Sequence, residues 1–369
     1  MTARSRPEIQ KFFFLCLPCV LWAIFYFYSC QMNKYDINEF TRDELNRLFI
    51  ERGFKECHAP EVYKSLYRRR VPGFHDMEEL PKRLRRFLDE RFFLSPLELK
   101  DRMDSRDGTR KFLFSLSDGR SVECVYIPEP GRRTLCVSSQ VGCKYGCNFC
   151  VSGRGGFGRH LSAAEMVNQV SRVNDLIGGE GVTNVVFMGT GEPLDNYDNL
   201  LRGIAILRDE KGFYIAKRKI SLSTCGIIPG INRLSRDRPG VHLSVSLHSA
   251  DNNTRSALMP VNKKYPLEML KESVRRFTDA EGFPVFFEYI MIRGVNVSED
   301  DARGLAEFVK DMTCKINLIP YNPSPYYEWE APEAGEIDSF RKVLEESGVF
   351  YRIRKSRGVD ISAACGLLP

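Results

Sequence analysis

Residues 143–150 read CKYGCNFC, and the interpretation of the chain starts from the three cysteines of this run, Cys143, Cys147 and Cys150. Thiolates at this C-x₃-C-x₂-C spacing can converge within one small loop. Three is one ligand fewer than a closed zinc site or a closed iron–sulfur cube takes. The spacing therefore favours a [4Fe–4S] cluster with one iron left open to a small chelating ligand. The alternatives are a zinc knuckle with a distant fourth ligand, and three free thiols.

After this run, short apolar stretches alternate with helical patterns, which predicts a parallel sheet with right-handed crossovers. The number of strands fits an open six-stranded (β/α) barrel, whose active-site groups lie at the carboxyl ends of the strands. The motifs GTGEP, STCG, SLHS and PYNP each follow or end a predicted strand. The predicted strands are 135–138, 184–188, 219–223, 241–247, 285–292, 315–319 and 349–354, and the predicted helices are 163–176, 196–207, 267–280, 299–311 and 336–346.

The chain before the barrel divides into three segments. Residues 12–30 are almost wholly apolar and uncharged, so residues 1–31 are treated as an apolar extension. Residues 32–100 predict a small helical domain of an RNA-binding type, with a capping box formed by Thr41 and Glu44, although core packing explains its apolar positions equally well. Residues 101–130 hold two runs of alternating polarity around Asp118–Gly119, which predicts a connecting β-hairpin. The barrel is expected to span residues 131–369.

The composition fits a globular protein of two domains or one large one, with 369 residues and 43% hydrophobic content. The twelve cysteines form no disulfide framework, which is typical of a reducing compartment that uses thiols for chemistry. The net charge of +6 is mild, but basic residues are clustered. The clusters are either solvated faces or a surface that contacts phosphates. They comprise Arg68, Arg69 and Arg70; Lys82, Arg83, Arg85 and Arg86; Lys217, Arg218 and Lys219; and Arg352, Arg354, Lys355 and Arg357.

Taken together, the motifs resemble those of the RlmN/Cfr group of RNA adenosine methyltransferases, which are radical S-adenosylmethionine enzymes. The matching stretches fall in order from residue 134 to residue 368, whereas residues 1–31 have no counterpart. Agreement at so many separate places is not expected by chance. The stretches are TLCVSSQVGCKYGCNFC (134–150), GFGRHLSAAE (156–165), VVFMGTGEPLDN (185–196), SLSTCG (221–226), SVSLHSADNNTRSALMPVNKKYPL (244–267), NLIPYNP (317–323) and RGVDISAACGLL (357–368).

The resemblance implies two cofactors and a set of site residues. The cofactors are a [4Fe–4S] cluster on the three cysteines of the first motif, and S-adenosylmethionine, of which two molecules are used per turnover. Cys365 is expected to carry the methyl group, Cys136 to act as the second mechanistic cysteine, and Glu123 to accept a proton. Taken singly, each of the residues expected to contact S-adenosylmethionine could equally well have a structural role. The residues expected to contact S-adenosylmethionine are Gly191, Glu192, Ser223, Ser246, Leu247, His248 and Asn322.

The resemblance also implies why two cysteines are needed. Carbon 2 of adenine is electron-poor, so direct polar methyl transfer fails. One S-adenosylmethionine methylates Cys365, the other is cleaved reductively so that hydrogen is abstracted from the S-methyl group, and the carbon adds to the base. Cys136 then attacks the Cys365 sulfur, which forms a disulfide and releases the methylated base. An outside electron donor must reduce both the cluster and the disulfide.

The implied substrate is an adenosine of 23S ribosomal RNA, methylated at carbon 2, together with the adenosine beside the anticodon in some transfer RNAs. The runner-up is methylation at carbon 8, which gives antibiotic resistance. A rival of another class is a non-catalytic RNA-binding protein with a structural metal, against which the joint presence of Cys136 and Cys365 argues. No stable protein partner is implied. Because such an enzyme acts in the cytoplasm, we expect Met32 to be the first residue and residues 1–31 to be an over-extended start rather than a signal peptide or anchor.

Overall fold

The computed structural model describes residues 34–95 and 97–368. The apolar extension and the expected start at Met32 lie outside the described residues. In the described part of the chain, no helix is both long and apolar enough to span a lipid bilayer.

A small, mainly helical unit precedes the large sheet. Its first helix begins after Thr41, whose backbone N–H donates to the Glu44 carboxylate at 2.8 Å, and the predicted capping box is confirmed. The unit packs on the rest of the chain through an ion pair of 2.7 Å between Arg42 and Asp209. Its elements are β1 (Tyr35–Asp36), α1 (Arg42–Glu51), α2 (His58–Tyr63) with a π-helical continuation at Lys64–Arg69, α3 (Lys82–Arg91) and β2 (Phe92–Phe93), which pairs in parallel with β1.

The body of the molecule is a ten-stranded sheet, accompanied by a separate two-stranded pair and a set of helices. Its strands are β3 (Glu98–Asp104), β4 (Arg110–Ser115), β5 (Ser121–Glu129), β6 (Arg132–Cys136), β9 (Asn184–Phe187), β10 (Ile220–Thr224), β11 (His242–Ser246), β12 (Val285–Met291), β13 (Cys314–Pro320) and β14 (Tyr351–Ile353), and the separate pair is β7 (Gln140–Gly142) with β8 (Phe157–His160). The helices are α4 (Ala163–Ile177), α5 (Tyr197–Arg208), α6 (Ile228–Asp237), α7 (Asn252–Leu258), α8 (Leu267–Glu281), α9 (Glu299–Val309) and α10 (Ala334–Glu346).

The sheet has a parallel part and an antiparallel part. Its strand order is β14-β13-β12-β11-β10-β9-β6-β5-β4-β3. Neighbours from β6 to β14 are parallel, so the expected α/β partial barrel is confirmed, with the short strand β14 added at its edge. The strands β3 to β6 are antiparallel, and β4 pairs with β5 around Asp118–Gly119 as the hairpin signal predicts. Because β3 runs across the boundary placed at residue 100, the division into segments stays a prediction.

The two faces of the parallel strands differ in chemistry. Strand residues on one face, such as Leu222, Leu243 and Phe287, are fully buried in the same core as the apolar sides of the helices. Many of the alternate residues are polar: Ser223 pairs in register with Ser244, and Glu288 with Asn317. Since successive residues of a strand point to opposite faces, the polar residues form the inner face of the partial barrel. The motifs that end the strands lie at one edge of this face.

Candidate active site

The three cysteines of the first motif lie on a loop that begins and ends at one small β-pair. β7 pairs antiparallel with β8, and the backbone N–H of Cys143 donates to the Gly156 carbonyl at 3.0 Å. Gly142 has a φ of +72°, and a Cβ there would lie 1.9 Å from the Gly156 oxygen. Only glycine fits this crossing, so the base of the loop is fixed.

Other parts of the chain hold the loop from outside. The Asn148 N–H donates to the carbonyl of Leu258 at 2.9 Å, and the Asn148 carbonyl accepts the Trp329 indole N–H at 3.0 Å. The N–H of Val151 donates to the carbonyl of Gly366, near the C-terminus, at 2.9 Å. The loop is therefore positioned by three distant segments, which sets where its thiols point.

The chemistry of these thiols suits the predicted cluster. All three are free and partly buried. Burial raises the pKa of Cys143 to about 11 and that of Cys147 well above its ordinary value. Because iron is bound by thiolates, the ionised ligands need a bound cation in this setting.

Glu192, in the turn after β9, joins that turn to the turn after β10. Its carboxylate accepts the N–H of Leu194 at 3.0 Å and that of Cys225 at 2.7 Å. Burial raises the pKa of Glu192, and these hydrogen bonds oppose the rise. Both carboxylate oxygens therefore already accept a backbone hydrogen bond, and the expected contact with S-adenosylmethionine stays a prediction.

Gly191 is built into a crowded place. Its φ is +106°, and a Cβ there would lie 2.5 Å from the Cβ of Gln140. Gln140 also accepts the Glu192 N–H at 2.8 Å. The turn thus exposes backbone rather than side chain, which is the geometry a closely approaching ligand needs.

His248 is a buried, uncharged side chain that links two strands. Its Nδ1 accepts the N–H of Ile290 at 3.0 Å, and its ring packs edge-on against Phe149 with centroids 4.7 Å apart. Burial lowers the pKa of His248 to about 3, so the imidazole is neutral at physiological pH. Through Phe149, the ring also abuts the cysteine loop.

The other residues expected to contact S-adenosylmethionine differ in what they can offer. Ser223 and Ser246 are partly exposed at the ends of β10 and β11. Leu247 is fully buried, and its carbonyl accepts the Nε of Arg255 at 3.1 Å while its N–H donates to a neighbouring strand. A ligand contact from Leu247 would therefore have to displace or share a backbone bond.

Two of the residues expected to be catalytic, Glu123 and Cys136, lie on one face of the sheet formed by β4, β5 and β6. In antiparallel pairs, opposed residues have side chains on the same face. Lys111 is opposed to Val125, and Val125 is opposed to Cys136. Glu123 lies two residues before Val125 and therefore on the same face. The other face of these strands packs into the main core through Phe112, Phe114, Val122 and Cys124.

Glu123 is a buried carboxylate with one free oxygen. The Lys111 Nζ lies 3.3 Å from its Oε1, and the two side chains are only 10% and 11% exposed. Its Oε2 is buried without a hydrogen-bond partner among the described residues. Burial raises the pKa of Glu123, and the charge of Lys111 opposes that rise. Such a carboxylate can take up a proton from a group placed at its free oxygen.

The C-terminal segment 357–368 connects this sheet face to the cysteine loop. The Asp360 carboxylate accepts the Ser105 hydroxyl at 2.6 Å, which holds the segment to the β3–β4 turn. Beyond Gly366, the Leu368 carbonyl accepts the Ser152 hydroxyl at 2.6 Å. Between these anchors, the segment packs on the sheet in a small apolar cluster of Val125, Ile361, Ala363 and Leu368, with Ile127 and Cys136 at its edge.

Cys365 lies between the two anchors. The residue is exposed, but the surrounding protein desolvates its thiol and raises the pKa, and the charges of Glu288 and Cys150 raise it further. Burial also raises the pKa of Cys136, and the interaction with Cys365 raises that pKa further. Asn322 donates to the Cys365 carbonyl at 3.4 Å. Electrostatic interactions thus link the Cys365 thiol to Cys136 and to Cys150, one ligand of the predicted cluster.

Two residues of the site, Lys111 and Arg255, are not identified by the sequence analysis. Lys111 was readable from the hairpin, because counting back from the Asp118–Gly119 turn places it opposite residue 125. Arg255 carried no signal, since a helical arginine is normally exposed. It is fully buried and donates to the carbonyls of Cys225 and Ser246 at 2.9 and 3.0 Å, which ties together the ends of β10 and β11.

The basic clusters differ in how free their charges are. Arg69 pairs with Glu61 at 2.7 Å and Arg70 with Asp175 at 3.4 Å, so that cluster is largely engaged internally. The cluster at 217–219 forms a short exposed 3₁₀ turn without an ion pair to any described residue.

Comparison with known proteins was made on sequence and on structure. The Radical SAM superfamily matches residues 137–308, and the ribosomal RNA large subunit methyltransferase N-terminal domain matches residues 35–94. The chain is 43% identical over 344 residues to the dual-specificity RNA methyltransferase RlmN of Desulfotalea psychrophila, covering 91% of this chain and 95% of that one. It is 42% identical over 343 residues to the probable dual-specificity RNA methyltransferase RlmN of Moorella thermoacetica, with 91% and 97% covered. A crystal structure of a radical SAM methyltransferase from Sphaerobacter thermophilus superposes with a TM-score of 0.85 at 39% identity, covering 90% of this chain and 98% of that chain.

Fold, site and relatives define a radical S-adenosylmethionine enzyme that methylates RNA. The chain belongs to the RlmN family. Its cofactors are a [4Fe–4S] cluster and S-adenosylmethionine, as the cysteine spacing and the resemblance predict.

Proposed function

We propose that the protein methylates carbon 2 of an adenosine in 23S ribosomal RNA, and the adenosine beside the anticodon of some transfer RNAs, in the cytoplasm. The observation that carries this proposal is the path of the C-terminal segment. It packs beside Cys136 on the sheet face that bears Glu123, and it bonds to the cysteine loop on either side of Gly366. This path would bring Cys365 within reach of both an attacking thiol and the cluster.

The cofactors are assigned to the residues that fit them. Cys143, Cys147 and Cys150 hold the cluster, and the turn at Gly191–Glu192 receives S-adenosylmethionine, with Ser223, Ser246, Leu247, His248 and Asn322 around it. When bound, the two together supply a carbon radical by reductive cleavage. The segments keep their predicted roles, with residues 32–100 binding RNA, 101–130 connecting and 131–369 carrying the reaction.

The roles of the chain's own residues follow from their places. Cys365 loses its proton and accepts a methyl group from the first S-adenosylmethionine. Once the carbon of that group has joined adenine, Glu123 Oε2 would take the proton from carbon 2, and the adduct's unpaired electron would return to the cluster, which would supply this one-electron chemistry when bound. Cys136 thiolate attacks the Cys365 sulfur, so that an S–S bond forms, the S–C bond breaks, and the electron pair goes to the carbon on the base, which is then protonated. An external reductant returns the disulfide to two thiols.

The choice of RNA is supported by the relatives. Those quoted above are named dual-specificity RNA methyltransferases, which supports more than one RNA substrate for this chain. Every described cysteine is a free thiol, which agrees with a disulfide that forms only during turnover.

The experiment is nucleoside analysis of modified RNA. Anaerobically reconstituted protein is incubated with a 23S ribosomal RNA fragment or transfer RNA, S-adenosylmethionine and a reductant, and the RNA is digested and analysed by mass spectrometry against both methyladenosine standards. The proposal expects 2-methyladenosine in both RNAs, and none with the Cys365→Ala variant. If 8-methyladenosine forms instead, the carbon-8 alternative is correct.

A further inference from the structure

Lys111 is a buried lysine for which the reaction described above has no use. Its residue is 8% exposed, on the short strand β4. Lysine is almost never buried in this way unless it is paired. Its partner is the carboxylate of Glu123, with Nζ 3.3 Å from Oε1.

The pair is placed at the catalytic face and not in the core. Lys111, Val125 and Cys136 lie in one line across three strands, with Glu123 on the same face beside them. Only one oxygen of Glu123 is used by the lysine. The other, Oε2, is buried and has no partner within the described part of the chain. A buried acceptor without a partner is costly, and a substrate group that meets Oε2 would offset this cost.

The charges around Glu123 show what the lysine does. Burial favours the neutral carboxylic acid, and Asp101 on β3 raises the pKa further. Cys136 lies on this face and Cys124 on the opposite one, and burial raises the pKa of both thiols, so they carry no charge at neutral pH. Lys111 is therefore the cation that opposes the rise in the pKa of Glu123.

We propose that Lys111 is the positioning residue of the proton acceptor: it keeps Glu123 ionised and fixes Oε1, so that Oε2 is free to face the substrate. The inference rests on the proposed role of Glu123. In the step concerned, the C–H bond at carbon 2 of the protein–RNA adduct breaks, the proton goes to Oε2, and the electron pair stays with the adenine ring. The charge of Lys111 favours return of the proton from Glu123 to solvent.

The test compares three substitutions. Lys111→Met removes the charge and nearly keeps the volume, and Lys111→Arg keeps the charge. Arg110→Met makes the same kind of change at the neighbouring residue, whose side chain is 35% exposed and pairs with Asp104. Single-turnover RNA methylation is measured from pH 6 to pH 9, together with iron content and the urea midpoint.

A charge effect has a defined signature. In Lys111→Met the pKa of Glu123 rises, so the pH at which the rate reaches half its maximum should move up by about one unit or more. At pH values below both midpoints the rate should then be about tenfold lower than that of the parent, with recovery at high pH. The rate of Lys111→Arg should stay within about threefold of the parent rate. Arg110→Met should have the rate and the pH profile of the parent. If Lys111→Met does not fold, Lys111→Gln, which keeps a donor without the charge, should show the same shift.

The outcomes separate this inference from the proposed function. A Glu123→Gln variant with the parent rate would refute the role of Glu123 itself. A slow Glu123→Gln beside a Lys111→Met with unchanged rate and pH profile would overturn only the inference about Lys111. A Lys111→Met variant that is equally slow at every pH would also overturn it, because that result describes a purely structural residue.

Discussion

Replacing Gly191 with alanine should weaken both the fold and the binding of S-adenosylmethionine. The residue has a φ of +106°, a conformation that side chains other than glycine rarely adopt, and a Cβ would lie 2.5 to 2.8 Å from three atoms of Gln140. Gln140 cannot simply move away. It accepts the Glu192 N–H at 2.8 Å and donates to Asp195 at 3.1 Å.

The size of the effect follows from these two costs. A residue forced into such a backbone region costs about 1–3 kcal/mol. Overpacking by one methyl group costs about 1–3 kcal/mol more. The sum is roughly 2–6 kcal/mol in the free energy of unfolding. If about a quarter of this strain displaces the turn in the folded state, the affinity for S-adenosylmethionine falls by roughly two- to tenfold, since about 1.4 kcal/mol corresponds to a factor of ten.

Urea unfolding and equilibrium dialysis with labelled S-adenosylmethionine measure the two quantities. The matched control is Gly335→Ala, because a Cβ at Gly335 meets no atom within 4 Å and its φ is not positive. The control should be neutral or stabilising by up to about 1 kcal/mol, as alanine favours a helix. A Gly191→Ala protein with an unfolding free energy within about 0.5 kcal/mol of the parent would refute the reasoning.

Three further predictions concern the cluster, acid sensitivity and the strand ends. A Cys147→Ala variant should lose the iron and the brown colour of the anaerobically purified protein, and full iron content in that variant would contradict the ligand assignment. His248 has a folded pKa of about 3 against an ordinary value of 6.5, so only the unfolded state takes up its proton between these values, and stability is lost as the pH falls. The variant His248→Asn keeps a hydrogen-bond acceptor, and asparagine tolerates a positive φ. In urea unfolding between pH 6 and 4, it should reduce the loss of unfolding free energy by up to about 1.4 kcal/mol per pH unit. An unchanged slope would contradict this prediction. Arg255→Met should lower the unfolding free energy by about 3 kcal/mol because it leaves buried carbonyls unsatisfied, whereas Arg303→Met at an exposed position should change it by less than about 0.5 kcal/mol.

Local signals in the sequence predicted much of the fold. The capping boxes at Thr41–Glu44 and Ser162–Glu165 are both present, because each depends on four consecutive residues. The helix α6 was not predicted, since its second and third residues, Pro229 and Gly230, signal a turn. Gly230 is required by tertiary packing instead, as a Cβ there would lie 2.7 Å from the Leu194 side chain. The sequence pattern predicts a helix of the small domain over residues 78–90, but this helix begins only at Lys82, directly after Pro81.

The site was predictable as a set of residues but not as an arrangement. The cysteine spacing names the ligands of a cluster from one short run. The path of residues 357–368 depends on contacts such as that of Asp360 with Ser105, which are 255 residues apart and have no local signature. The use of both Glu192 oxygens by backbone N–H groups likewise appears only in three dimensions.

The most direct test of the central claim separates the two mechanistic thiols. Cys136→Ala, Cys365→Ala and, as a control, Cys57→Ala at an exposed cysteine are incubated with RNA, S-adenosylmethionine and a reductant, and run on denaturing gels. Without the attacking thiolate, Cys136→Ala should accumulate a covalent protein–RNA species linked through Cys365. Cys365→Ala should form neither adduct nor product, and Cys57→Ala should turn over normally. Methylated RNA from Cys365→Ala, or normal turnover by Cys136→Ala, would contradict the account.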